Sequence, residues 1–187
     1  RAALLSNQLS REYAEAVIAL RAAHGKPDVQ ALGCHGQTIR HRPELGYTTQ
    51  LVNGALLAEL TGLTTVVDFR GRDVAAGGQG APLVPAFHAI ALSHPTLARA
   101  IVNIGGIANV TYLPPGGKVI GFDTGPGNML MDAWIRQQHG EAMDRSGNFA
   151  ASGSVQAGLL QRMRADAFFT RVPPKSTGRD LFDARWL

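Results

Sequence analysis

Glycine-rich segments close one predicted strand after another along this chain, and that placement constrains the fold more than any other feature. Gly33-Cys34-His35-Gly36-Gln37-Thr38 follows a short apolar run over 29–33. Asp68-Phe69-Arg70-Gly71-Arg72-Asp73 follows the β-branched run 64–69 and leads into Gly77-Gly78-Gln79-Gly80. Asn103-Ile104-Gly105-Gly106 ends a run over 100–104, and Asp123-Thr124-Gly125-Pro126-Gly127-Asn128 ends one over 119–123. Glycine admits positive φ and lets a ligand come close to the backbone. In open α/β sheets ligands gather beyond the carboxyl ends of strands. A single cluster of this kind is a tight turn. Several of them, carrying Asp, Asn, Gln and His, point to a shared ligand site.

The segments between fit that reading. Leu4, Leu5, Leu9, Tyr13, Ala16, Val17 and Leu20 recur at three- and four-residue steps, which predicts an amphipathic helix over 3–24. Further helices are predicted over 55–61, 82–92, 129–139 and 153–166, and strands over 48–52 and 108–113. Pro82 sits in the first turn of its helix. Alternation of strands and helices argues an α/β fold, and a composition shift around 77–82 predicts a domain boundary there.

Composition excludes several classes. With 187 residues, 45% hydrophobic and 17% charged, the chain is long and apolar enough to build a core. No apolar run approaches the ~20 residues of a membrane span. The single cysteine, Cys34, excludes an internal disulfide framework and a cysteine zinc site. A net charge of +4 is spread over separated residues such as Arg70, Arg72, Arg162, Arg164 and Arg171, which weighs against nucleic-acid binding. The first methionine is Met129 and the chain closes on Arg185-Trp186-Leu187, so it reads as a stretch of a longer protein.

No standard motif settles the chemistry. A usable Gly-x-Gly-x-x-Gly, a Walker-type loop and Gly-x-Ser-x-Gly are all absent. His35, His41 and His88 lack zinc-hydrolase spacing. Asp123 stands out, at the end of an apolar strand before a glycine turn and a helix, where a carboxylate serves as base, metal contact or helix cap. Asp68 and Asp73 share that setting, with a structural pair to Arg70 or Arg72 as the competing role. His35 reads as a polar lining residue and Cys34 as a buried thiol.

These segments, together with Ala81-Pro82-Leu83-Val84-Pro85-Ala86-Phe87-His88 and Pro174-Lys175-Ser176-Thr177-Gly178-Arg179, resemble the anhydro-N-acetylmuramic acid kinase family, in order and across nearly the whole chain. The resemblance implies an actin-like, sugar-kinase fold of two α/β domains with the active site in the cleft. It places 1–80 in the C-terminal part of the first domain and 81–187 in the N-terminal part of the second. It implies a bacterial cytoplasmic enzyme of cell-wall recycling, a homodimer, working on a small amino sugar with ATP and Mg²⁺. Such enzymes turn 1,6-anhydro-N-acetylmuramic acid, ATP and water into N-acetylmuramic acid 6-phosphate and ADP. Carried onto this chain, Asp123 is the general base. His35, Arg72, Asp73 and Gln79 fall on the sugar side, and Asn103, Gly105, Gly106, Gly125 and Gly127 on the phosphate side. Gly71 stands where relatives are expected to carry Arg. A sugar-binding regulator or inactive relative of the same fold, and an ordinary kinase acting on a free hydroxyl, remain as alternatives.

Overall fold

The computed structural model describes residues 1–187, which divide into two compact units, Arg1–Gly80 and Ala81–Leu187. Both are mixed α/β. The first unit opens with α1 (Ala2–Ala23), followed by β1 (Ala31–Gly33), β2 (Gln37–Arg42) and β3 (Tyr47–Leu51). It closes with α2 (Gly54–Thr61), β4 (Thr64–Val66) and α3 (Phe69–Ala75). β1 pairs with β4 in parallel, and β2 with β3 antiparallel.

Its core gathers Ala14 of α1, Leu51 of β3, Leu57 of α2, Leu63 and Val74 of α3, all buried. A polar joint fixes the first two helices. Asn53 caps α2 by accepting from the Leu56 amide at 3.0 Å. Its own amide donates to the hydroxyl of fully buried Ser10 at 2.8 Å, and its side-chain Nδ2 donates to Asn7 Oδ1 at 2.7 Å.

The second unit runs α4 (Pro85–Leu92), β5 (Arg99–Ile104), β6 (Ile107–Leu113), β7 (Ile120–Pro126) and α5 (Asn128–His139). Three short helices follow, α6 (Asn148–Ala151), α7 (Ala157–Arg164) and α8 (Ala167–Thr170). The strands form one antiparallel sheet in the order β5-β6-β7. Leu130, Phe168 and Phe182 make the core, with Met129, Phe169 and Trp186 packed against them. The Phe168 and Phe182 rings meet edge to face at 5.5 Å between centroids. Asp166 caps α8 through the Phe168 amide at 2.8 Å and accepts from the Trp186 indole at 2.8 Å. These two bonds hold its carboxyl below the usual aspartate range.

Several predicted boundaries move. The run 64–69 stays extended only to Val66, because Asp68 turns left-handed at φ 59° and Phe69 begins α3. The polar stretch Gln37–Arg42, unassigned from sequence, is a strand because β3 pairs with it from Gln37↔Leu51 to Arg42↔Tyr47. Pro85, not Pro82, occupies the first turn of α4. β7 continues past Asp123, since Gly125 and Pro126 still pair with Ala108 and Ile107. The helix expected over 153–166 spans Ala157–Arg164, and Asn148–Ala151 is a separate turn.

Candidate active site

The expected site residues lie in both units, and each set is built by its own elements. In the first unit the glycine turn 77–80 is tied to one face of α3. Arg70 and Asp73 stand three apart on that helix, so they project together. Asp73 Oδ2 accepts from the Gly80 amide at 2.7 Å, and Arg70 donates to the Gly80 carbonyl at 2.6 Å. Arg70 Nε also donates to His35 Nε2 at 2.7 Å, while His35 Nδ1 lies 2.7 Å from the Gly36 carbonyl. An acceptor role at Nε2 and a carbonyl at Nδ1 together assign the proton to Nδ1. Both ring nitrogens are therefore engaged within the protein, which fixes the His35 ring between Arg70 and the Gly36 carbonyl.

Arg70 thus joins the first glycine segment to the second, a role that local sequence did not assign it. Gln79 is half-buried in the turn, and Arg72 is exposed on α3. Gly78 lets the turn close, because a Cβ there would strike the Asp73 carboxylate. A Cβ on Gly71 would likewise meet the Asp68 carboxylate, so Arg at this position requires Asp68 to move. In an Asp73→Ala variant the buried Gly80 amide loses its acceptor, at roughly 1–3 kcal/mol. Hydrogen exchange at Gly80 is then expected to accelerate by about tenfold or more. Unchanged exchange would show that Asp73 does not hold the turn.

In the second unit the hairpin between β5 and β6 turns at Gly105-Gly106 and docks on the start of α5. The Gly127 amide donates to the Gly106 carbonyl at 2.8 Å, Asn128 to the Gly105 carbonyl at 2.8 Å, and Met129 to Gly106 at 3.3 Å. The first amides of α5 are therefore satisfied by the hairpin. The five glycine-side positions separate on this geometry. Gly125 (φ 143°) faces the Phe169 ring, and a Cβ on Gly127 would run into the Gly105 carbonyl, so both are demanded by packing. Gly105 and Gly106 are not, since a Cβ on either would meet only ordinary contacts at 3.7 Å or more. Asn103 is exposed on β5, with its amide nitrogen beside Gly105.

Asp123 is the only buried carboxylate of the chain, 4% exposed on β7. Its amide donates to the Lys175 carbonyl at 3.0 Å, and its Oδ2 accepts from the Thr177 amide at 2.9 Å. The segment 175–177 thereby brackets Asp123 on both main chain and side chain. Lys175 is itself buried, which its local sequence of two prolines and polar residues gave no means of foreseeing. No group of three or more His, Cys, Asp or Glu side chains is arranged to hold a metal ion. No helix is long and apolar enough to cross a membrane.

With this geometry in place, the comparisons with known proteins are decisive. The family model described as anhydro-N-acetylmuramic acid kinase matches residues 1–187. The chain belongs to the anhydro-N-acetylmuramic acid kinase family. It is 59% identical over 182 residues to the kinase so named from Thiobacillus denitrificans, covering 97% of this chain and 49% of that protein. Against those from Nitrosomonas europaea and Bordetella petrii the identity is 58%, covering all of this chain and 53% and 50% of theirs. The chain spans about half the length of the curated kinases it matches.

Proposed function

We propose that the whole protein to which this chain belongs is a hydrolytic sugar kinase acting on 1,6-anhydro-N-acetylmuramic acid. Asp123 is its general base. It takes a proton from a water molecule whose oxygen bonds to the anomeric carbon. The bond from that carbon to the bridging oxygen breaks, and the freed O6 takes the terminal phosphoryl group of ATP, leaving ADP. The product is N-acetylmuramic acid 6-phosphate. One observation carries the reading: the single buried carboxylate of the chain stands on β7, held in one orientation by the Thr177 amide, as a positioned base requires.

Within this reading Gly105, Gly106 and Asn103 face the phosphates, since nothing in the protein's own packing requires glycine at 105 and 106. Gly125 and Gly127 shape the strand and helix that carry them. His35, Arg72, Asp73 and Gln79 serve the sugar side, with His35 and Asp73 held as wall residues and Arg72 as the exposed cation. The two units are portions of the two α/β domains of a sugar kinase. Mg²⁺, when bound, neutralises charge on the phosphoryl oxygens. The relatives are bacterial, and a cytoplasmic homodimer serving cell-wall recycling completes the proposal.

The test supplies the whole protein with ATP and Mg²⁺ and, separately, the anhydro sugar and N-acetylglucosamine. Phosphorylation of the anhydro sugar alone is expected. Phosphorylation of N-acetylglucosamine in its place would assign an ordinary kinase acting on a free hydroxyl. No transfer to either would favour a sugar-binding regulator.

A further inference from the structure

A lysine is almost never buried unless its ammonium is partnered, because desolvating the charge is costly. Lys175 is 8% exposed. Its Nζ donates to the Phe168 carbonyl at 3.0 Å and the Phe169 carbonyl at 3.4 Å, the carbonyls of α8. It also stands 4.7 Å from the centroid of the Phe168 ring and 5.9 Å from that of Phe122. Phe122 directly precedes Asp123 on β7, so the ammonium bridges α8 to the strand that carries the carboxylate. At its other end the same residue accepts the Asp123 amide on its carbonyl, and two residues on the Thr177 amide reaches Asp123 Oδ2. The Thr177 hydroxyl is buried with no hydrogen-bond partner, a condition native folds seldom leave in a segment that only packs.

We propose that Lys175 is a positioning residue for Asp123. Its ammonium pins the segment 175–177 to α8, and that segment fixes both the backbone and the carboxylate of Asp123. The proposal rests on Asp123 being the base. A carboxylate free to tilt by a fraction of an ångström loses alignment with the attacking water, which slows turnover without changing how the sugar is held.

The experiment compares wild type, Asp123→Asn, Lys175→Met and Lys175→Arg in the whole protein, reading kcat and KM for the anhydro sugar together with Tm. Lys175→Met is expected to fold and to lose about tenfold or more in kcat, with KM within about twofold. Lys175→Arg, which keeps a donor for the two carbonyls, is expected to recover part of that loss. A Lys175→Met kcat within about twofold of wild type, or a loss carried by KM, overturns the positioning role. So does a Lys175→Met protein that fails to fold while Lys175→Arg turns over at the wild-type rate, since that pattern belongs to a purely structural lysine. In those cases a catalytically inactive Asp123→Asn leaves the base assignment standing. An inactive wild type or an active Asp123→Asn removes the base assignment, and the role of Lys175 with it.

Discussion

Asp123→Asn in the whole protein is expected to lower kcat for the anhydro sugar by about a thousandfold, the middle of the range a positioned general base contributes. The fold is expected to survive. Asparagine keeps an acceptor oxygen for the Thr177 amide at a site where the carboxylate now accepts at 2.9 Å, so the stability change stays near about 1 kcal/mol. The backbone bond from residue 123 to the Lys175 carbonyl is untouched by the substitution. A large loss of turnover with a nearly unchanged Tm therefore separates chemistry from architecture. Turnover within about tenfold of wild type would mean that Asp123 is a buried structural acid and that another group takes the proton.

Gly127→Ala is expected to have the largest effect on stability, about 3 kcal/mol. The added Cβ would be driven into the Gly105 carbonyl and would lie 3.4 Å from the Gly106 carbonyl, both backbone atoms that cannot swing aside. Relief requires pulling the β5–β6 hairpin off α5, which forfeits the bonds from the amides of Gly127, Asn128 and Met129. Gly106→Ala is the contrasting case. Its Cβ would meet Met129 at 3.7 Å and Asn128 at 4.0 Å, so the thermal unfolding of the whole protein shifts little. The effect of Gly106→Ala is expected instead in KM for ATP, because the space above this glycine is kept for phosphate in the proposed site. If Gly127→Ala unfolds no earlier than wild type, the hairpin does not depend on this contact. If Gly106→Ala leaves KM for ATP unchanged, Gly106 does not face the phosphates.

Periodicity made the longer elements legible: α1, α2, β5, β6 and α5 lie where apolar spacing and the paired glycines put them. What escaped were elements whose stability comes from partners distant in sequence. The helix Phe69–Ala75 contains Gly71 and three charged side chains, so its local propensity is poor. It forms where Arg70 and Asp73 reach the Gly80 turn and Val74 enters the core. The strand Gln37–Arg42 is polar at every position but Ile39 and is defined only by its pairing with β3. The same holds for the site. Asp123 could be singled out locally because it ends the apolar run 119–123 just before a glycine turn, although the strand itself runs on to Pro126. Lys175 and Thr177 could not, because a contact across 54 positions leaves no local trace in a single sequence. The positive φ of Asp68 was equally hidden, and it is this residue that converts the end of β4 into the start of α3.

Isotope labelling shows whether one base-activated water opens the anhydro ring while the released oxygen accepts phosphate. The whole protein is incubated with ATP, Mg²⁺, the 1,6-anhydro sugar and ¹⁸O-labelled water, and the product is examined by mass spectrometry. A sugar 6-phosphate carrying one ¹⁸O at the anomeric position, formed by wild type and not by Asp123→Asn, is the predicted result. Unchanged sugar, or a phosphorylated product free of ¹⁸O, would contradict the account.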